Sequence, residues 1–87
     1  MSYAIIWERR AADELTALAR GNPSMGRRVT RAIERFAATG LGDVKRLSGE
    51  DSLRLRVGDW RVIFTHDADR TSIIVLRVLP RGRAYRR

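Results

Sequence analysis

An α+β fold is predicted by three features of the chain: a short β-branched opening run, two amphipathic stretches at helical spacing, and alternating strand-like runs from residue 44 onward. The order strand, helix, helix and then consecutive strands packs an antiparallel helical hairpin on one face of a mostly antiparallel sheet of about four strands. Eighty-seven residues supply one hydrophobic core, so residues 1–87 are read as a single domain.

Residues 3–7 are apolar, with aromatic and β-branched side chains, and predict the first strand. Charges begin at Glu8, after which Ala11, Leu15 and Leu18 recur at helical spacing, widened by Ala12 and Ala19, which predicts a helix to about Arg20. Gly21, Asn22 and Pro23 then punctuate the chain. Gly can close the first helix in the left-handed conformation, Asn22 can cap the next, and Pro23 suits its first turn. Met25, Val29, Ile33 and Phe36, with Ala32 and Ala37, make the second stripe, which fades near Thr39 and Gly40. Its polar side carries Arg27, Arg28, Arg31 and Arg35, a solvated face that could also meet a polyanion.

Residues 44–47 predict a short strand. The stretch Leu53-Arg54-Leu55-Arg56-Val57-Gly58-Asp59-Trp60-Arg61-Val62-Ile63-Phe64 reads as a hairpin turning at Gly58 and Asp59, because Gly at the first central position suits a two-residue II′ turn. That turn sets the register: Val57 pairs with Trp60, Arg56 with Arg61, Leu55 with Val62 and Arg54 with Ile63. Leu53, Leu55, Val57, Trp60, Val62 and Phe64 then face the helices, while Arg54, Arg56 and Arg61 stand together on the outer face. Like charges directly opposite destabilise a sheet by roughly 0.2–1 kcal/mol, so the arrangement suits reception of an anion, with phosphate the obvious candidate. Residues 71–79 are nearly continuous Ile, Val and Leu, the pattern of a buried strand, and Pro80 ends it before a cationic tail carrying Arg81, Arg83 and Tyr85.

Eighteen Lys and Arg against 10 Asp and Glu give a net charge of +8, an attraction toward nucleic acid or an acidic protein. Seventeen of the cations are arginine, whose planar fork matches phosphate but whose high pKa bars it from accepting a proton at neutral pH. The absence of cysteine excludes disulfides, thiolate metal sites and thiol nucleophiles and fits a cytoplasmic protein. One histidine and no acidic pair at ligand spacing argue against a metal site, and no cofactor is implied. No run approaches the roughly 18 apolar residues of a membrane span, and no export signal opens the chain.

Cations fixed around a phosphodiester stabilise the extra charge of its transition state, and RNA supplies its own nucleophile in the 2′-OH, so such a site needs no metal. The hairpin motif, with Val75-Leu76-Arg77-Val78 and the tail from Arg81 through Tyr85, resembles the RelE branch of the RelE/ParE toxin superfamily over nearly the whole chain. That resemblance implies the toxin of a type II toxin-antitoxin system, a metal-independent endoribonuclease that enters the ribosomal A site and cuts mRNA there. It also implies a cognate antitoxin in a toxin-antitoxin hetero-oligomer. By position, Arg61 and Arg81 match residues that hold the scissile phosphate and its transition-state charge, and Tyr85 matches the aromatic that stacks on a base or assists proton transfer. Arg54, Arg56 and Arg83 are the accompanying substrate-binding residues. Arg54 and Arg56 replace lysines of the best-known members, which leaves Tyr85, Asp59 or water to serve as the base. The alternative within the superfamily is a ParE-like toxin that inhibits DNA gyrase without cutting RNA.

Overall fold

The computed structural model describes residues 2–49 and 51–82. Its elements run β1 (Ala4–Trp7), α1 (Arg9–Gly21), α2 (Pro23–Thr39), β2 (Val44–Arg46), β3 (Leu53–Val57), β4 (Trp60–His66) and β5 (Ser72–Pro80). The five strands form one sheet in the order β1-β5-β4-β3-β2. β1 pairs with β5 in parallel, a pairing the sequence leaves open, and the four strands after the helices pair antiparallel, as the sequence predicts.

The helical hairpin covers one face. Ala11 and Leu18 of α1, and Val29, Ile33 and Ala37 of α2, meet Leu55, Val57, Val62, Phe64, Ile73, Val75 and Val78 in one core. Phe36 and Phe64 pack with ring centroids 5.0 Å apart in a tilted arrangement favoured by aromatic pairs. The two helices approach closely at Gly26, where a Cβ would stand 2.8 Å from Ala19 Cβ. Only glycine admits that approach.

The junction between the helices differs from its prediction. Gly21 remains helical, and Asn22 performs both tasks: its N–H donates to Leu18 O at 2.7 Å, and its side chain accepts from Met25 N at 3.1 Å. A side-chain cap on the following helix takes the place of a left-handed glycine.

β5 contains a bulge. Ile63 pairs with Arg77 and Phe64 with Val75, so Leu76 is the extra residue between them. β1 ends its pairing at Val75, and among the described residues no strand pairs with that side of residues 76–80. Glu14 of α1 fills the gap: its carboxylate accepts Val78 N–H at 2.8 Å and grips Arg77 through contacts of 2.8 and 3.0 Å.

Candidate basic site at the hairpin turn

The hairpin register is the predicted one: Arg54 opposite Ile63, Leu55 opposite Val62, Arg56 opposite Arg61 and Val57 opposite Trp60. Gly58 has φ +59°, while Asp59 is absent from the residues with positive φ, the combination a II′ turn requires. The apolar set packs inward, with Leu55, Val62 and Phe64 at most 1% exposed.

The outer face departs from the expectation of three exposed arginines. Arg54 and Arg61 are 8% and 4% exposed, and of the three only Arg56 stands in solvent. This face carries a second, smaller apolar cluster, Ile63 and Leu79 with Leu47 and Leu76 packed against them, and the register sets Arg54 opposite Ile63 and Arg61 opposite Leu79, where long arginine stems can be covered. Arg61 turns its guanidinium back to the turn, where Nη1 donates to Gly58 O at 3.3 Å and Trp60 O at 3.1 Å. Arg54 Nη1 lies 3.8 Å from Asp43 Oδ1, and its buried Nε has no hydrogen-bond partner among the described residues. Asp43 also supports the neighbouring arginine, since its carbonyl accepts Arg56 N–H at 2.9 Å.

The tail meets this turn. Pro80 pairs with Trp60, and Arg81 N donates to Asp59 O at 2.6 Å, which fixes the start of the tail beside the turn. Arg81 is exposed. Arg56, Arg61 and Arg81 therefore gather at one end of β4, Arg61 and Arg81 bonded to carbonyls of the turn and Arg56 placed opposite Arg61 by the strand register. Arg83 and Tyr85 lie outside the described residues.

His66 stands at the other end of β4, about 20 Å away along a strand rising roughly 3.3 Å per residue. It packs on Tyr3 at 5.0 Å and on Phe64 at 6.3 Å between ring centroids. Next to it, Asp67 organises the β4–β5 turn. Its carboxylate accepts from Thr71 N, Thr71 Oγ1 and Ser72 N at 2.9, 3.2 and 3.2 Å. The Ser72 N–H in particular holds the acid below its ordinary pKa, partly offset by desolvation and supported by the Thr71 donors.

Sequence reasoning passed over Asp43, because a lone Asp beside Gly42 reads as a turn former. Its contact with Arg54 requires β2 and β3 to be paired. Helical spacing alone assigns Arg28 to a solvated helix face, yet its guanidinium lies over the hairpin turn, 3.4 Å from the position a Cβ on Gly58 would occupy.

The family model described as the ParE toxin of type II toxin-antitoxin systems, parDE, matches residues 5–85. A search of curated protein sequences returns no match. Among solved structures the chain is similar to one from the archaeal RelE–RelB complex of Pyrococcus horikoshii OT3, at 27% identity and a TM-score of 0.74, covering 95% of this chain and 99% of that one. It is also similar to a chain of the RelB–RelE antitoxin-toxin complex of Methanococcus jannaschii, at 22% identity and a TM-score of 0.72, covering 92% and 94% of the two chains. A third similarity is to the chromosomal ParDE system of P. aeruginosa, at 13% identity and a TM-score of 0.75 over 92% and 97%. The last two likenesses establish the fold alone. By the family match across nearly its full length, the chain belongs to the ParE toxin family of type II toxin-antitoxin systems, within the RelE/ParE superfamily.

Proposed function

We propose that this toxin is a ribosome-dependent mRNA endonuclease, held inactive by a cognate antitoxin. The observation that carries the reading is the convergence of Arg56, Arg61 and Arg81 on one turn, with Arg81 N bonded to Asp59 O at 2.6 Å. The 27% identity to the chain from a RelE–RelB complex supports it, and the pairing of RelE with RelB in that complex supports an antitoxin partner. A net charge of +8 suits a ribosomal and mRNA target.

In this reaction the 2′-oxygen attacks the adjacent phosphorus, a new P–O2′ bond forms and the P–O5′ bond breaks. The products are a 2′,3′-cyclic phosphate and a 5′-hydroxyl. The 2′-OH proton passes to a base, and the departing 5′-oxygen gains a proton. Arg56 and Arg81, both exposed, are assigned to the phosphate oxygens. Arg61 is assigned to the developing charge, reached by a rotation of its guanidinium away from the Gly58 and Trp60 carbonyls. Arg83 extends the binding surface, Arg54, buried and 3.8 Å from Asp43, adds its charge from beneath it, and Tyr85 carries the aromatic and proton-transfer role. No arginine here can be the base, which leaves Tyr85, Asp59 or water for that step.

Cleavage of A-site codons on programmed ribosomes by the purified chain tests the proposal. Arg61→Ala and Arg81→Ala are each expected to abolish it. The family model's ParE description favours a second reading, inhibition of DNA gyrase. Gyrase-dependent DNA breaks with intact mRNA would establish that reading and sink the first. Ribosome affinity should also fall steeply with salt, because phosphate neutralisation releases counterions.

A further inference from the structure

The four arginines on the polar side of α2 do not share a direction. Arg27 and Arg31 line the groove against α1 together with Arg20. Arg28 and Arg35, two helical turns apart, turn to the other flank, where they line a cleft with Gly42, Asp43, Arg56 and Gly58. Among the described residues no ion pair or side-chain hydrogen bond engages Arg28, Arg35 or Arg56, and all three are exposed. The one carboxylate lining the cleft, Asp43, lies 3.8 Å from Arg54.

Arg28 connects this cleft to the hairpin site. Its Nη1 and Nη2 would stand 3.4 and 3.6 Å from a Cβ on Gly58, and the Gly58 carbonyl accepts from Arg61 at 3.3 Å. One glycine thus separates Arg28 from Arg61. Arg28 and Arg35 are about 10 Å apart along the helix axis, too far for a single phosphate to bridge, so the row suits a polyanion rather than a small anion. Guanidinium groups match phosphate oxygens in a two-pronged geometry.

We infer that Arg28 and Arg35, with Arg56, bind the phosphate backbone of single-stranded RNA where it passes round the sheet edge from the hairpin site onto α2. This inference rests on the nuclease reading for the identity of the polyanion, and its test separates the two. Binding of a single-stranded RNA oligonucleotide to the full chain is measured by fluorescence anisotropy across a salt series, with circular dichroism verifying that each variant is folded.

For Arg28→Gln/Arg35→Gln the slope of log affinity against log salt is expected to shrink by about 1.4, which is about 25-fold weaker binding at 0.1 M salt relative to the 1 M reference. Arg27→Gln/Arg31→Gln removes the same charge from the other flank and is expected to keep most of the wild-type slope. An unchanged slope in the Arg28/Arg35 variant overturns the inference. An equal loss in both variants also overturns it, since net charge alone would then be responsible. A variant that keeps RNA affinity but loses binding to polyglutamate overturns it in favour of an acidic protein partner. Ribosome cleavage is assayed in parallel: a wild-type chain that does not cleave, together with the expected slope change, removes the nuclease reading and leaves the RNA path standing. Cleavage lost in Arg61→Ala, with no slope change in Arg28→Gln/Arg35→Gln, does the reverse.

Discussion

β4 is bounded by two tight turns of opposite electrostatic character. At Gly58 and Asp59 a guanidinium donates to backbone carbonyls, and further arginines gather around it. At the other end a carboxylate accepts from backbone and hydroxyl donors, and its charge is consumed within the turn. The two turns share the task of reversing the chain, but only the first gathers several arginines around it, whereas the carboxylate that organises the second is engaged within it. Asp67 has its donors at hand, whereas among the described residues no carboxylate pairs with the guanidinium groups of Arg56, Arg81 and Arg28. A surplus of like charge at one end of a small domain marks where an external ion completes the balance.

That contrast can be broken from either side. The largest effect is expected for Arg61→Ala, which should slow single-turnover cleavage on ribosomes by about 100-fold or more, the usual loss when a donor to a developing oxyanion is removed. Cleavage within a few-fold of wild type would confine Arg61 to stapling the turn. Next comes Gly58→Ala, which forces a side chain into φ +59° beneath the Arg28 guanidinium. It should cost about 1–2 kcal/mol in urea unfolding and weaken RNA binding as well.

Asp67→Asn should act on stability and leave cleavage unchanged. Because the folded state holds this carboxyl below its ordinary pKa, the ionised form stabilises the protein above the unfolded value, and that contribution is lost as pH falls through the lower folded value. Unfolding compared at pH 7 and below about pH 4 should therefore show the wild type ahead at neutral pH and the difference closing in acid. The smallest change is expected for Asp43→Asn. Its pairing with Arg54 is long and its carboxylate largely exposed, so stability should shift by less than about 1 kcal/mol. Any larger change would be expected in RNA affinity.

The contrast also marks how far the sequence could be read. The alternation of residues 53–57 and 60–64 around a Gly-Asp turn specified the strand register residue by residue, since a slip of β3 by one would have turned Arg54 and Arg56 toward the helices. Helix spans followed from the apolar stripes and from Asn22 with Pro23. Exposure did not follow. Arg61 reads as an outward residue because alternation reports the face of a sheet and not what stands on that face. The burying residues Leu79 and Leu76 come from a strand more than a dozen positions away, one of them displaced by a bulge. The partition of the α2 arginines was hidden for a similar reason, since helical spacing groups residues but does not say which neighbour each group meets.

The carboxylate of Glu14 has a consequence for behaviour at high concentration. A strand edge with free N–H groups is a template on which another chain can add a strand, and among the described residues the stretch 76–80 of β5 has no strand on the side where β1 ends at Val75. By taking the Val78 N–H and holding Arg77 beside it, Glu14 occupies that template with a group from its own helix. The same residue that pins α1 to the sheet thus also covers a backbone donor that an adding strand would need.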